Sequence, residues 1–197
     1  MKKKKQKNFH PFLWVLCGGI LVFAFQTSAT AQPRPDAKQA ELKQLLDGLA
    51  LAPSDEIAAR IEARISNLWT QQGGPTAAMM MARSRRNLQS GEAAEAVADL
   101  DSVLTLEPDL PEAFVRRGAA RFEAGDIPGA LRDLQEALTR EPRQFEALKT
   151  LAHIAETQGN PKAALSAWRR LLEIAPRTEN AQKHLRELIK LAEGEEL

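Results

Sequence analysis

The chain has 197 residues, with 27 Lys and Arg against 26 Asp and Glu, 44% hydrophobic residues and 5% aromatic residues. An apolar fraction rich in Ala beside 27% charged residues is typical of helices with one apolar stripe, so the composition disfavours an all-β fold. The single cysteine excludes a disulfide scaffold and cysteine-based zinc sites, and three histidines leave few ligands for a transition metal, so we expect no metal site and no cofactor.

The segment 1–31 has the three parts of a secretory signal. Five lysines lie among positions 2 to 7, an apolar run extends from Phe12 to Phe25, and Ala29-Thr30-Ala31 forms a small-x-small cleavage site. As a helix this run would reach about 21 Å, short of the roughly 30 Å hydrocarbon core of a bilayer. We therefore expect residues 1–31 to be a signal peptide cleaved after Ala31, with the mature protein in the periplasm. Retention of the signal as an inner-membrane anchor and full secretion are the alternatives.

Cleavage would change the charge balance of the chain. Removing the five lysines leaves 22 basic against 26 acidic side chains, a net charge of −4, which disfavours nucleic acid as a ligand. The mature chain would also lack cysteine, which suits an oxidising compartment.

A linker and a helical hairpin follow. Two prolines in residues 32–35 favour an extended spacer. Apolar residues then recur at steps of three and four over 42–49 and again over 57–69, with a Pro-containing loop at 52–54 between the two stripes. This pattern predicts two amphipathic helices in the segment 36–76. Trp69, the last member of the second stripe, is expected in the core.

A repeat of constant length runs through the rest of the chain. Prolines and glycines recur at one fixed interval: Pro108, Pro142, Pro176, Gly91, Gly125 and Gly159. Aligned on them, the sequence divides into three copies, 77–110, 111–144 and 145–178. Each copy predicts a helix, a Gly-centred turn and a second helix that ends before a proline.

The copies resemble the tetratricopeptide repeat, whose pattern ends in A-x3-F and a proline over roughly 34 residues. The matching residues are Ala96 with Leu100, Ala130 with Leu134, and Ala164 with Trp168, each followed by the closing proline. The Leu-Gly earlier in the family pattern is replaced by Arg83-Ser84, Arg117-Gly118 and Leu151-Ala152. The resemblance implies an all-α, right-handed superhelical solenoid that binds an extended peptide or a helix of a protein partner on the concave surface of its first helices.

Several packing expectations follow from the stacking of such hairpins. Ala130 is expected where two helices approach closely, and Trp168 is expected to pack. Arg117 stands at an apolar family position and is expected to keep its head in water. The solenoid also needs ends, so residues 179–197, with Leu185, Leu188 and Ile189 on one side, predict a C-terminal capping helix. The 36–76 hairpin is then expected to be a diverged pair at the opposite end.

Catalytic motifs are not found. The sequence contains no G-x-S-x-G, no G-x4-G-K-[ST] and no H-E-x-x-H, and His153 and His184 stand far apart without paired ligand spacing. We therefore expect a non-enzymatic scaffold or adaptor of the periplasm. The runner-up is a membrane-tethered structural subunit of an envelope complex with an uncleaved signal. An enzyme with a cryptic helical active site is a third hypothesis.

The partner-binding groove is expected on the first helices of the copies. Positions outside the buried stripe, together with one on the cap, are Met81, Arg85, Val115, Arg116, Ala119, Lys149, His153 and Lys183. Stacking would align them into a locally basic groove that favours protein partners with acidic segments. The alternative is an ordinary solvated surface diluted by Glu112, Glu123, Glu146 and Glu156. The subclass that clamps a C-terminal carboxylate is not matched, because Glu146 and Thr150 stand where it needs Lys and Arg.

Overall fold

The computed structural model describes residues 35–178 and 181–193, and in these ranges the chain forms nine α-helices and no strand. The all-α helical-repeat architecture predicted from the sequence is therefore confirmed. The predicted signal peptide 1–31 and most of the linker 32–35 lie outside the described residues. The helices are α1 Pro35–Leu49, α2 Asp55–Thr70, α3 Pro75–Gln89, α4 Ala93–Leu106, α5 Pro111–Glu123, α6 Ile127–Arg140, α7 Phe145–Thr157, α8 Pro161–Ile174 and α9 Ala181–Glu193.

Helices α3 to α8 form three hairpins whose turns share one geometry. The turn glycines Gly91, Gly125 and Gly159 have positive φ of 79°, 83° and 66°, a conformation that side chains with a Cβ rarely adopt. The residue after each glycine donates its N–H to a carbonyl five positions earlier at 2.8 Å, as in Asp126 to Arg121. This is the Schellman ending of a helix. Asp126 then caps α6 by accepting the Gly129 N–H at 2.9 Å.

Small residues set the distance between the two helices of the second hairpin. Ala130 is fully buried. A Cβ built on Gly118 of α5 would lie 3.2 Å from the Ala130 carbonyl and 3.0 Å from Leu134 Cγ. The backbones of α5 and α6 therefore approach closely at Ala130, as the repeat predicts.

Ion pairs join the two helices of the first and second hairpins. Arg117 donates two hydrogen bonds to Asp133, at 2.8 and 2.7 Å, and a third to Asp101 at 2.7 Å. The side chain of Arg117 is only 16% exposed, so the expectation that its head stays in water is wrong. Arg83 pairs in the same way with Asp99, one repeat earlier. An arginine is retained at this apolar position because the facing helix supplies a carboxylate.

The N-terminal hairpin packs on the third copy, which corrects the expectation that it caps the end next to the first copy. One core cluster joins α1 and α2 to α7 and α8, and it includes Leu46, Trp69, Phe145 and Leu171. The rings of Trp69 and Phe145 are 5.0 Å apart. Arg177 fixes the loop between α1 and α2 by donating to the Ala52 carbonyl at 2.6 Å.

The reason for this placement is side-chain size. The third copy has Phe145 and Leu171 where the second copy has Pro111 and Ala137, one period earlier. Large apolar side chains at the start of α7 and the end of α8 need a covering element, and the leucine stripe of α1 supplies it. Bulk at the docking surface, rather than order along the chain, decides where the hairpin binds.

Helix α9 packs on α8. Leu188 is buried, Leu185 and Ile189 are half-buried, and the imidazole of His184 stacks on Trp168 with ring centroids 5.1 Å apart. The Trp168 indole N–H donates to Glu156 at 2.6 Å, so Trp168 packs as expected and its polar edge is satisfied. Among the helices that the structure describes, none combines the length and apolar character needed to cross a membrane.

Candidate protein-binding site

Four of the eight predicted groove residues meet at one open cavity of about 300 Å³. The cavity lies on the first-helix face, which is the surface formed by α3, α5 and α7. It is called the α3–α5 cavity here because these two helices supply most of its walls. The predicted residues that line it are Arg85, Val115, Arg116 and Ala119.

The remaining walls of the α3–α5 cavity combine apolar and polar residues from several helices. Leu88, Leu100 and Ala120 supply apolar surface from three helices. Helix α7 contributes Glu146 and Thr150, and α2 contributes Ser66. Because α2 forms one wall, the cavity is built partly by the docked N-terminal hairpin and not by the repeats alone.

A buried carboxylate lies in the cavity wall. Glu112 is 5% exposed and accepts bonds from Arg116 Nε at 2.8 Å and from Gln144 Nε2 at 3.1 Å. Burial raises the pKa of Glu112 above its usual value, and the charge of Arg116 opposes that rise. Arg116 also donates to Thr70 Oγ1 at 2.9 Å, which ties α5 to α2. The charge of Arg116 is therefore used inside the fold.

In the sequence, Glu112 stands out only as a charge that dilutes a basic surface. The spacing of Glu112 and Arg116, one helical turn apart on α5, was the signal that could have identified the pair. Glu112 lies among the buried residues because Gln144, itself fully buried, satisfies its second oxygen. Ser66 could not be predicted as a wall of the cavity, since it depends on where the N-terminal hairpin docks.

The other four predicted groove residues do not reach the α3–α5 cavity. Met81 is 0% exposed and belongs to the core of α3 and α4, so its assignment to the groove is wrong. Its neighbour Met79 is exposed instead. The buried face of α3 therefore differs by one residue from the face that the repeat alignment predicts. One residue corresponds to about 100° around the helix axis.

The two lysines and the histidine lie elsewhere. Lys149 pairs with Glu62 of α2 at 3.1 Å and lies 3.5 Å from Glu146, so its charge is compensated. Lys183 is exposed and borders a second cleft, together with Lys149. His153 contacts Phe122 edge-on with ring centroids 5.4 Å apart. Since Glu62 and Thr70 of α2 contact α7 and α5, α2 crosses the first-helix face and the predicted row does not form one continuous basic groove.

Comparisons with known proteins agree with this geometry. A family model described as tetratricopeptide repeat matches residues 121–189, which include most of the second and third hairpins. These two hairpins therefore match the tetratricopeptide repeat. A TPR repeat-containing protein of Rhizobium etli is 28% identical over 173 residues, covering 88% of this chain and 82% of the relative.

Solved tetratricopeptide structures share the fold. The first TPR domain of human RPAP3 superposes with a TM-score of 0.56 at 18% identity, over 60% of this chain and 94% of that chain. The first TPR of Spaghetti (RPAP3) bound to an HSP90 peptide gives a TM-score of 0.55 at 18% identity, with the same coverage. A crystal structure of MamA gives 0.54 at 16% identity, over 79% of this chain and 83% of that chain. Tetratricopeptide solenoids serve in general as protein–protein interaction scaffolds with extended binding surfaces.

The described residues offer no grouping of three or more His, Cys, Asp or Glu side chains that could hold a metal ion. Two hydroxyl groups that line the α3–α5 cavity bond to backbone. Ser84 donates to the Met81 carbonyl and Thr150 to the Glu146 carbonyl, each at 2.9 Å. These two hydroxyls are thus held by their own helices rather than by a base that could activate them.

Proposed function

We propose that the protein is a non-enzymatic scaffold that binds a segment of a partner protein on the first-helix face, at the α3–α5 cavity. The single observation that carries the proposal is an open cavity of about 300 Å³ on a tetratricopeptide surface, lined by apolar residues and by four charged ones. Such a cavity can anchor a side chain, and anchors of this kind dominate protein interfaces.

The chemistry of the cavity favours binding over catalysis. Its one buried acid, Glu112, is engaged by Arg116 and Gln144, which support α2 and the turn before α7. General acid–base or nucleophilic catalysis needs a second reacting group within hydrogen-bond reach of the first. Neither Ser84 nor Thr150, both bonded to backbone, supplies that partner. Tetratricopeptide proteins are also generally non-catalytic.

The proposal places this scaffold in the periplasm. It is supported by the lysine-rich start, the short apolar run and Ala29-Thr30-Ala31 of the sequence. Intact mass spectrometry of the protein purified from its native cell envelope tests the location. A first residue of Gln32 supports export with cleavage, whereas a retained leader favours the membrane-tethered structural subunit.

Partner binding is tested by filling the cavity. Ala119→Trp places an indole among the cavity walls, while Ala98→Trp adds the same group on an exposed position of α4. Affinity capture from an envelope extract is quantified for the parent and both variants by mass spectrometry. We expect a partner that the parent and Ala98→Trp retain and that Ala119→Trp loses. Equal capture by all three proteins would contradict binding at this cavity.

A thermal melt of each variant separates loss of binding from loss of fold. If Ala119→Trp melts well below the parent, Ala119→Leu replaces it, because its smaller side chain fills part of the cavity with less overpacking. Loss of capture with an unchanged melt supports the proposal.

A further inference from the structure

We propose that the α3–α5 cavity takes one bulky apolar side chain of a short partner segment, and that a carboxylate beside that side chain pairs with Arg85. This inference rests on the proposed function and specifies the partner chemistry that it leaves open. It follows from the size of the cavity, from its apolar walls and from the one lining charge that the described part of the fold does not use.

The length of the partner segment is limited by α2. Helix α2 crosses the first-helix face, with Glu62 bound to Lys149 and Thr70 bound to Arg116. It is held there by the fully buried side chains of Ile65 and Trp69. Because displacing α2 would expose this core to water, α2 remains a wall when a partner binds. The surface left for a partner is the part of the face on α3 and α5.

The volume of the cavity fits one or two side chains. About 300 Å³ is the lower end of the range for small-molecule pockets, so the cavity cannot hold a folded element. Leu88, Leu100, Val115 and Ala120 line it with aliphatic surface. An apolar side chain gains free energy by leaving water here, whereas a charged side chain would lose its hydration.

The charges that line the cavity are Arg85, Glu112, Arg116 and Glu146. Arg116 and Glu112 neutralise each other at 2.8 Å. Glu146, on the α7 side, shares Lys149 with Glu62, at 3.5 and 3.1 Å. Arg85 is exposed and has no ion pair among the described residues. The lining charges thus sum to zero, but Arg85 is the cation without an ion-pair partner among the described residues, and its place on the α3 side complements an acidic residue of the partner.

Synthetic peptides test this preference directly. Three blocked heptapeptides of Gly and Ser carry, at their centre, Leu followed by Asp, Leu followed by Lys, or Ala followed by Asp. Each is titrated to millimolar concentration into the full chain labelled with ¹⁵N, and amide chemical shifts report both the site and the affinity.

We expect the Leu-Asp peptide to shift the amides of Arg85, Leu88, Val115 and Ala119, and to bind about fivefold more tightly than the other two. Arg85→Glu should remove the preference of Asp over Lys while keeping the preference of Leu over Ala. Arg86→Glu, an equal charge reversal on α3 at a residue that does not line the cavity, should change neither.

Equal affinities for Asp and Lys peptides, or shifts confined to other helices, would overturn the inference. Its failure is distinguishable from failure of the proposed function. If Ala119→Trp abolishes partner capture but the peptides show no charge preference, only the partner chemistry is wrong. If capture is independent of Ala119, the site itself is wrong.

Discussion

Arg117 of α5 and Asp133 of α6 form a two-bond ion pair inside the second hairpin, at 2.8 and 2.7 Å, with Asp133 only 3% exposed. The pair raises the pKa of Arg117, chiefly through the hydrogen bonds that Arg117 donates to Asp133. The equivalent residues of the third copy are Leu151 and Ala167, one period later. These equivalent positions thus hold an ion pair in the first and second copies and apolar residues in the third.

The first prediction concerns replacement of the Arg117–Asp133 ion pair by the apolar residues of the third copy. Arg117→Leu alone should lower the free energy of unfolding by about 2 to 4 kcal/mol, because it leaves the buried Asp133 with Arg121 as its remaining ion-pair partner in the described part of the chain. Arg117→Leu combined with Asp133→Ala, the residues of the third copy, should recover to within about 1 kcal/mol of the parent. Urea denaturation of the parent, the two single variants and the double variant measures the coupling. Additive losses in the double variant would show that the pair does not act as one unit.

The second prediction concerns the docking of the N-terminal hairpin. Trp69→Ala should destabilise the protein by about 3 to 5 kcal/mol, since Trp69 is 0% exposed and contacts Phe145 of the third copy. Trp69→Phe should stay within about 1 kcal/mol of the parent, because the indole N–H has no hydrogen-bond partner among the described residues. Thermal melts of both variants check this. Equal losses for Trp69→Phe and Trp69→Ala would contradict the aromatic packing described for this core.

The close approach of α5 and α6 gives a third prediction. Gly118→Ala places a Cβ 3.0 Å from Leu134 Cγ and should destabilise by about 1 kcal/mol, although Ala is the better helix former. Gly48→Ala in α1 meets nothing within 4 Å, so it should stabilise the protein by about 0.5 kcal/mol. The two variants therefore shift the melting temperature in opposite directions. A gain for Gly118→Ala would contradict the tight contact.

Ala130→Asp tests the same contact from the second helix. The new carboxylate would be buried without a partner and would overpack the crossing, with a loss of several kcal/mol. Circular dichroism melts measure the loss. A variant that melts with the parent would exclude the packing described for α5 and α6.

The buried Glu112 should make stability depend on pH. Its folded pKa is raised above its ordinary value of 4.5, so between these two values the folded chain binds a proton that the unfolded chain does not. This contribution to stability is complete below pH 4.5 and is lost as the pH rises through the folded pKa. The stability of the parent relative to Glu112→Gln should therefore rise as the pH falls from 8 toward 5. Paired melts across this range measure the difference, and a constant difference would contradict the raised pKa.

The repeat could be predicted from sequence because its signals are local. The turn glycines need positive φ, and the small Ala96, Ala130 and Ala164 mark helix crossings within each hairpin. The docking of α1 and α2 could not be predicted, because it depends on the size of side chains far along the chain, such as Phe145.

The candidate site was predictable only in part. The register of the repeat placed Arg85, Arg116 and Ala119 on one face, and the structure brings them to one cavity. The repeat register could not show that Arg116 hydrogen-bonds to Glu112 and Thr70. Thr70 belongs to the N-terminal hairpin, whose docking position the repeat does not predict. Met81 lies in the core and not on the predicted face, because a shift of one residue along a helix turns a side chain by about 100°.

The most direct test of the account is hydrogen–deuterium exchange of the full chain, alone and with the partner that Ala119→Trp fails to capture. Binding at the α3–α5 cavity predicts added protection of amides in residues 81–88 of α3 and 112–120 of α5, with α6 and α8 unchanged. Protection confined to the second helices or to α9, with α3 and α5 unchanged, would contradict it.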